Sequence, residues 1–322
     1  MTEKRTYQNV KKFWNQEAKK KGATPLVTIR DHFFRLIELK ILNSLIPFQS
    51  TVLDAGCGTG FGSVILGLKA KKVLGFDYSP EMINWANKLI ADKNYRRKLF
   101  SDLGYDINLK ADVKNVSFII QDTLKPLDKE IYNVITGQRV LINMTNHESQ
   151  VRMLENLTKN ADKSTLFIFT EATKQGHART DELRANFNIE ILEKYWRNCY
   201  VDENRLKDWD KIGLKINQIL TFDTYFLLSK IIYPAAYGSE NCQFLSGANK
   251  AAYEISELFR TKQAVEEVGL ENFFNLYLKK LLFYDVKEHQ AIKKWLAKNF
   301  SKIESLDWAG LGHQKIFVMS LK

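Results

Sequence analysis

Residues 52–62 read VLDAGCGTGFG and join a short apolar segment to the start of a helical pattern. Glycines at positions 56, 58 and 60 would let the backbone turn tightly and approach a ligand without side-chain clashes. The helix that follows would present free backbone N–H groups in its first turn. The spacing differs from the G-x-G-x-x-G of dinucleotide-binding folds, because Phe61 or Ser63 stands where the third glycine belongs. No Gly-Lys-Ser/Thr follows, so the stretch is not a P-loop either.

Strand-like and helical segments alternate on both sides of this turn. The segments with strand character lie at 51–54, 71–77, 116–122, 132–140 and 164–171. Helical patterns separate them at 79–90 and 147–159. Such alternation is typical of right-handed βαβ units. The chain is therefore predicted to be an α/β protein with a mostly parallel sheet and helices on both faces.

Both ends of the chain are predicted to add helices to this core. Residues 1–46 have the pattern of an N-terminal helical cap, and residues 47–322 form the predicted core. The core is interrupted at 222–311 by a mainly helical insertion that would serve as a lid before the last strand. Residues 176–211 are polar and aromatic without a clean period.

The composition indicates a folded protein and excludes a disordered one. Apolar residues make up 45% and aromatic residues 12% of the 322 residues. The three cysteines, Cys57, Cys199 and Cys242, are too few and too scattered for a disulfide framework or a zinc site, which favours a reducing compartment. No apolar run approaches the roughly 18 residues of a membrane span, and the N-terminus lacks a signal-peptide pattern. We expect a cytoplasmic protein.

The positive charge is concentrated near the N-terminus. Residues 1–21 hold seven basic and two acidic side chains, so +5 of the net +11 lies there. Such a segment could meet nucleic acid or an anionic substrate. It could equally be a solvated lysine-rich surface without a partner.

Four positions around the glycine turn resemble the motifs of class I S-adenosylmethionine (SAM) methyltransferases. Asp54 with the three glycines resembles the D-x-G-x-G-x-G of motif I, and Asp77, Asp122 and Gln138 follow at the ends of the next three strands. The resemblance implies a seven-stranded Rossmann-like sheet. It also implies SAM as cofactor and S-adenosylhomocysteine (SAH) as product. The alternative for the three aspartates is that they are strand-end turn residues.

The resemblance assigns a role to each motif residue. Asp77 would accept the ribose hydroxyls, Asp122 would contact the adenine amino group, and Gln138 would lie near the methionine moiety. Asp54 and Gly56 would lie near the methionine amino group and the sulfonium. The whole cofactor-binding set implied by the resemblance is Asp54, Gly56, Cys57, Gly58, Gly60, Asp77, Tyr78, Met82, Asp122, Thr123 and Gln138.

The fourth strand and the flanks narrow the class of methyltransferase. The strand lacks the Asn/Asp-Pro-Pro-Tyr/Phe of amide and adenine methylation, and the chain has no Pro-Cys pair for cytosine chemistry. No His/Asp/Glu group has metal-ligand spacing, so no metal is expected. Residues 26–42, 170–203 and 221–235 resemble a group of bacterial enzymes that methylate hydroxyls of small molecules or surface glycans. The chain departs from that group at Asp181, where Asn is usual, and at Arg197, where His is usual.

Methyl transfer of this kind is a direct in-line displacement, in which the protein aligns an acceptor hydroxyl and removes its proton. A base must lie near the carboxyl ends of the strands, so Glu171 is the first candidate and His177 the second. Arg197 cannot serve, because a guanidinium stays protonated. For both candidates a structural role is the alternative.

Several cationic and aromatic side chains are candidates for acceptor binding. Guanidinium groups could hold a carboxylate or phosphate of an anionic sugar bidentately, and aromatic rings could stack on a sugar. Surface ion pairing and core packing are the alternatives for these residues. The candidates are Arg30, Arg139, Arg184, Arg197, Tyr200 and Tyr225.

Three functions remain open at this point. The first is a SAM-dependent methyltransferase that acts on a hydroxyl of a small molecule or glycan. The second is an RNA methyltransferase that uses the basic N-terminus, and the third is a SAM-binding protein without catalysis. The acceptor, the base and the oligomeric state do not follow from the sequence.

Overall fold

In the computed structural model, which describes residues 4–103 and 113–322, a seven-stranded sheet forms the centre of the molecule. The strand order is β3-β2-β1-β4-β5-β7-β6. Strands β1 to β5 run parallel, and β7 is antiparallel to its neighbours β5 and β6. The strands are β1 Thr51–Ala55, β2 Lys72–Asp77, β3 Val116–Ile120, β4 Val134–Gln138, β5 Leu166–Ala172, β6 Leu214–Leu220 and β7 Gln314–Leu321. The predicted α/β fold with a mostly parallel sheet is confirmed.

The α-helices in the described ranges cover both faces of the sheet and its carboxyl-terminal edge. They are α1 Tyr7–Lys21, α2 His32–Leu45, α3 Phe61–Gly67, α4 Pro80–Ala91, α5 Lys93–Asp102, α6 His147–Thr158, α7 Lys174–Asn186, α8 Lys207–Lys211, α9 Asp223–Phe226, α10 Tyr233–Tyr237, α11 Gly247–Leu258, α12 Lys262–Val268, α13 Leu270–Tyr284 and α14 Val286–Ser305. A six-residue π-helix at Leu227–Ile232 connects α9 to α10.

The strand sequences are apolar on both faces because both faces are covered. Val52 and Val134 belong to one apolar cluster, which also contains residues of α2, α3, α4 and the helices after β6. Their neighbours Leu53 and Ile135 point to the opposite face and belong to a second cluster with α6 and α8. Burial of this kind explains why β1 and β4 lack the alternating pattern of a half-exposed strand.

Helix α7 lies in the region where the sequence shows no clean period. Its buried positions are Gly176, His177, Thr180, Leu183 and Arg184, which follow helical spacing. Four of these five residues are not apolar, so a hydrophobic pattern does not reveal the buried face. The helix begins at Thr173, whose side chain accepts a hydrogen bond from the N–H of Gly176 at 3.0 Å.

Helices flank β1 on its N-terminal side and lie between the last two strands of the chain. Helices α1 and α2 precede β1, and α9 to α14 lie between β6 and β7. Helix α11 packs against α2, so the insertion and the N-terminal segment contact each other. The division into a cap at 1–46 and an insertion at 222–311 stays a prediction. No helix of the described residues is long and apolar enough to cross a membrane.

The loop that leads from the insertion into β7 provides a test of the packing. Gly312 has a φ of +101°, and a Cβ there would lie 2.3 Å from Cδ2 of Phe226, a fully packed ring with 1% exposure. We expect Gly312→Ala to lower the free energy of unfolding by roughly 2–4 kcal/mol, from backbone strain plus overpacking. Urea denaturation measures the loss.

Gly310 in the same loop is the matched control. It has a φ of +67°, but nothing lies within 4 Å of the added Cβ. Gly310→Ala should therefore cost only about 1 kcal/mol, the backbone contribution alone. Equal losses in the two variants would show that Phe226 does not constrain this loop.

Candidate functional site

A cavity of about 710 Å³ opens at the carboxyl ends of the parallel strands. Gly56 after β1, Asp77 at the end of β2, Gln138 at the end of β4 and Ala172 at the end of β5 all line it. Its volume lies within the roughly 300–1,000 Å³ of small-molecule sites. Open α/β sheets bind their ligands at this edge, so the cavity is the candidate active site.

The glycine turn lines the cavity with backbone. Gly56 and Gly58 have φ values of +66° and +56°, a region that side chains with a Cβ rarely adopt. A Cβ on Gly56 would lie 2.5 Å from Cγ2 of Val140. Glycine therefore suits this turn, as the sequence indicates. The N–H groups of Cys57, Gly58 and Gly60 are bound within the protein, by Phe76, Asp77 and Cys57 respectively.

Asp77 connects the end of β2 to this turn. Its Oδ2 accepts the N–H of Gly58 at 3.1 Å, and its Oδ1 accepts the N–H of Ser79 at 2.8 Å. Burial raises the pKa of Asp77 to about 6, although both N–H groups oppose the shift. Three other predicted cofactor residues, Tyr78, Met82 and Thr123, line the cavity next to it.

Four residues of the predicted cofactor set do not line the cavity. Each of them contacts neighbouring parts of the protein. Asp54 accepts the hydroxyl of Ser63 at 2.5 Å below the turn, and burial raises its pKa to about 6. Asp122 accepts the N–H of Leu124 at 2.9 Å. The thiol of Cys57 faces the carbonyl of Gly58 at 3.7 Å, and Gly60 packs against Phe118.

A buried charge cluster closes the cavity behind Gln138. The carboxylate of Glu38, with 0% exposure, pairs with the guanidinium groups of Arg35 and Arg139. Burial would raise the pKa of Glu38, but Arg139 and Arg35 together lower it below its ordinary value. Arg35 also donates to Oε1 of Gln138. Arg139, a predicted acceptor-binding residue, lines the cavity while it neutralises this buried carboxylate.

Glu171, the first candidate base, binds backbone N–H groups and does not face the cavity. Its Oε1 accepts the N–H groups of Val140 and Leu141, both at 2.9 Å, and its Oε2 accepts that of Ile142 at 3.1 Å. The residue is fully buried and does not line the cavity. Burial raises its pKa to about 8, against the effect of the three N–H groups. Because its oxygens are occupied by backbone, the expectation of a catalytic Glu171 is not supported.

His177, the second candidate base, does line the cavity. It is 4% exposed, and burial lowers its pKa to about 4, so the imidazole is neutral at pH 7. Its ring lies 4.5 Å from that of Tyr200 and 4.7 Å from that of His313. Its Nδ1 has no hydrogen-bond partner among the described residues. A neutral, unpartnered imidazole in a cavity can accept a proton.

The arginines predicted to bind an acceptor lie in the cavity wall, but they differ in how many contacts their guanidinium groups make within the protein. Arg184 donates to the backbone carbonyls of Glu190 and Lys230 and so holds two segments together. The guanidinium carbon of Arg197 lies 4.4 Å from the ring centre of Phe13 and 4.2 Å from that of Tyr195. Arg30 is exposed, and no hydrogen bond or ion pair involves it in the described part of the chain.

The two tyrosines predicted to bind an acceptor lie in different environments. Tyr200 lines the cavity beside His177. Tyr225 is fully buried outside the cavity wall, and its hydroxyl donates to Oδ1 of Asp31 at 2.5 Å. Stacking of Tyr225 on an acceptor is therefore excluded, because core residues enclose its ring.

Helix α1, part of the segment 1–46 predicted as an N-terminal cap, lines the cavity. Tyr7, Phe13 and Trp14 on one side of the helix line the cavity. The Nε1 of Trp14 donates to Oδ1 of Asn143 at 3.0 Å, and Arg5 donates to the carbonyls of Thr145 and Asn198. The sequence places these three aromatic residues on the apolar side of the helix, and this side faces the cavity.

No group of three or more His, Cys, Asp or Glu side chains within residues 4–103 and 113–322 is arranged to hold a metal ion. The expectation that the reaction needs no metal stays a prediction.

The sheet order, the glycine turn after β1 and the acid at the end of β2 define the class I SAM-dependent methyltransferases. Residues 49–203, just under half of the chain, match the family described as "Methyltransferase domain". Over these residues the chain resembles a methyltransferase domain. No curated protein matches it.

Solved structures that resemble the chain include proteins with several activities. The N-methyltransferase NodS from Bradyrhizobium japonicum WM9, in complex with SAH, is 16% identical, with 67% of this chain and 89% of that one covered and a TM-score of 0.43. The magnesium protoporphyrin IX methyltransferase from Synechocystis is 22% identical over 58% and 73%, with a TM-score of 0.38. The [4+2]-cyclase SpnF is 14% identical over 89% and 80%, with a TM-score of 0.44.

The position of Glu171 leads to a test that separates a structural carboxylate from a catalytic one. Glu171→Ala removes the partner of three buried backbone N–H groups. We expect the free energy of unfolding to fall by roughly 3 kcal/mol in chemical denaturation. His177→Ala, which breaks no hydrogen bond recorded in the described residues, is the control and should cost distinctly less. A fully stable Glu171→Ala protein without methyl transfer would return Glu171 to a catalytic role.

Proposed function

We propose that this chain transfers the methyl group of SAM to a hydroxyl of a small molecule or glycan. The observation that carries the proposal is that one cavity is lined both by the glycine turn with Asp77 and by the neutral imidazole of His177. The first group suits a cofactor, and the second suits proton removal from an acceptor.

The cofactor end supports SAM on three grounds. A Cβ on Gly58 would lie 3.6 Å from Cγ2 of Thr28 and 4.0 Å from Sδ of Met82, both of which line the cavity, so a larger side chain there would take up ligand space. Asp77 offers carboxylate oxygens beside the turn, where ribose hydroxyls could donate to them. Gln138 and Arg139 offer polar groups at the end of β4. When bound, SAM supplies an electrophilic methyl group on a sulfonium.

At the acceptor end, His177 is placed to take the hydroxyl proton. The bond between the acceptor oxygen and the methyl carbon forms as the bond between carbon and sulfur breaks, and the proton passes to an imidazole nitrogen. Helix α1 forms one wall of the cavity around this site, where Trp14 is held by its hydrogen bond to Asn143. His177 therefore replaces Glu171 as the proposed base.

The acceptor is proposed to be small rather than a polynucleotide. Part of the basic N-terminal segment is engaged within the protein, since Lys19 pairs with Glu81, Lys21 pairs with Glu17, and Lys11 lies 5.7 Å from the ring centre of Tyr78. An anionic group on the acceptor would meet Arg30, the exposed cation in the cavity wall. Methyl transfer by the wild-type protein from labelled SAM to a cell extract would separate an enzyme from a SAM-binding protein without catalysis.

The cofactor assignment is tested by calorimetric binding of SAH. Asp77→Ala removes the carboxylate, and Gly58→Val fills the cavity with a side chain at a φ of +56°. Each should weaken SAH binding by about a hundredfold, since a charge-assisted hydrogen bond or the space for the ligand is lost. Asp128→Ala, at an exposed position outside the cavity, is the control. Unchanged affinity in both cavity variants would contradict the proposal.

The role of His177 is tested by the pH dependence of turnover at saturating SAM. Because only the neutral imidazole accepts a proton, activity should be lost as the pH falls through about 4, the lowered pKa of His177, rather than near 6.5. His177→Gln should lower kcat by about 10²–10⁴-fold and remove this acid limb. An acid limb that is unchanged in the variant would assign the base elsewhere.

A further inference from the structure

The cavity wall contains buried polar atoms that have no hydrogen-bond partner in the described part of the chain. The Oδ1 of Asn249, the Oε1 of Gln314 and the Nδ1 atoms of His177 and His313 are buried and have no hydrogen-bond partner in residues 4–103 and 113–322. All four side chains line the cavity. Buried polar atoms usually have a hydrogen-bond partner, so those that border a cavity can be satisfied by a ligand bound there.

The amide of Asn249 has a defined orientation. Its Nδ2 donates to the carbonyls of Gln243 at 3.0 Å and Phe244 at 3.3 Å, so both amide hydrogens are used at the N-terminus of α11. The free atom is therefore the Oδ1, on a side chain of a residue that is only 3% exposed. A carboxamide oxygen can only accept, so its missing partner is a donor.

Lys230 offers hydrogen-bond donors in the wall of the same cavity. It lies in the π-helix, and its side chain is 15% exposed and lines the cavity. Its ammonium pairs with Oδ2 of Asp31 and lies 5.2 Å from the ring centre of Phe244, the residue whose carbonyl binds Asn249. An ammonium has three N–H donors, and Asp31 is the one hydrogen-bond acceptor that the described residues offer it.

The position of the Asp31 carboxylate does not depend on Lys230 alone. Its Oδ1 also accepts the hydroxyl of Tyr225 at 2.5 Å and the N–H of Phe34 at 3.1 Å. Two further donors therefore hold the Asp31 carboxylate, and Lys230 can donate its remaining N–H groups elsewhere while it stays paired with Asp31. Because π-helices are found frequently at functional sites, the placement of the only charged residue of this segment in the cavity wall agrees with a role in binding.

We propose that Asn249 and Lys230 form an acceptor-recognition subsite for a polyhydroxylated molecule, such as a sugar or cyclitol, whose neighbouring hydroxyls donate to the first and accept from the second. A hydroxyl both donates and accepts, so it suits both residues. A carboxylate acceptor leaves Asn249 unpaired, and a flat apolar acceptor leaves both unpaired. The inference rests on the proposed function, because it names the acceptor of the same cavity.

The test begins with the wild-type protein and tritiated SAM. The acceptors are a panel of monosaccharides and cyclitols and, for comparison, a panel of simple phenols. We expect label in the polyols and not in the phenols. Label in phenols, or in no polyol while calorimetry shows that SAH binds, overturns this inference alone. Failure of the wild-type protein to bind SAH overturns the proposed function itself.

The residues are then tested with the labelled polyol. Lys230→Met and Asn249→Leu should each raise KM for the polyol by at least about tenfold, with kcat little changed and SAH affinity unchanged, because ground-state and transition-state binding are lost equally. Asn249→Asp keeps an acceptor oxygen and should raise KM less than Asn249→Leu. Lys250→Met on the exposed side of α11, where the ammonium lies over Tyr284, is the matched control.

Thermal unfolding of each variant keeps the result interpretable, because Asn249 also binds two backbone carbonyls. If Asn249→Leu does not fold, Lys230→Met and Asn249→Asp decide the outcome. An unchanged KM in a folded Lys230→Met protein overturns the subsite.

Discussion

The active-site edge of the sheet depends on backbone N–H groups that are buried and must be paired. Where parallel strands end, the chain leaves the ladder, and its N–H groups lose their regular partners. Asp77 takes those of Gly58 and Ser79, and Glu171 takes those of residues 140–142. The shape of the cavity wall follows from these two carboxylates. The acids at the strand ends are therefore structural elements before they are binding groups.

Buried charge connects the added helices to this edge. Glu38 on α2 is tolerated at 0% exposure because it pairs with Arg35 on the same helix and with Arg139 after β4. Asp31 at the start of α2 pairs with Lys230 and binds Tyr225 of the insertion. Helix α2 thus contacts Gln138 at the end of β4 through Arg35, and its N-cap residue Asp31 contacts the helices between β6 and β7. A substitution that breaks either set of contacts would therefore affect the same helix.

Much of the fold could be predicted from local patterns, and much of the site could not. The glycine turn and the strands around it follow from residue types within a few positions of one another. Helix α7 was not predicted, because polar residues occupy its buried face and no hydrophobic period marks it. Glu171 was a reasonable base, since a carboxyl group at a strand end has the same sequence context whether it binds backbone or substrate. Only the three N–H contacts distinguish the two roles.

The sequence by itself determined the α/β class, the position of the glycine turn and the candidate status of Asp77 and His177, because strand and helix periods and glycine conformations are local properties. The tertiary structure decided which polar groups remain free. Lys230 meets Asp31 across 199 positions, and Arg139 meets Glu38 across 101. Pairing over such separations depends on how helices and strands pack, so it decides whether a charged side chain supports the protein or faces a ligand.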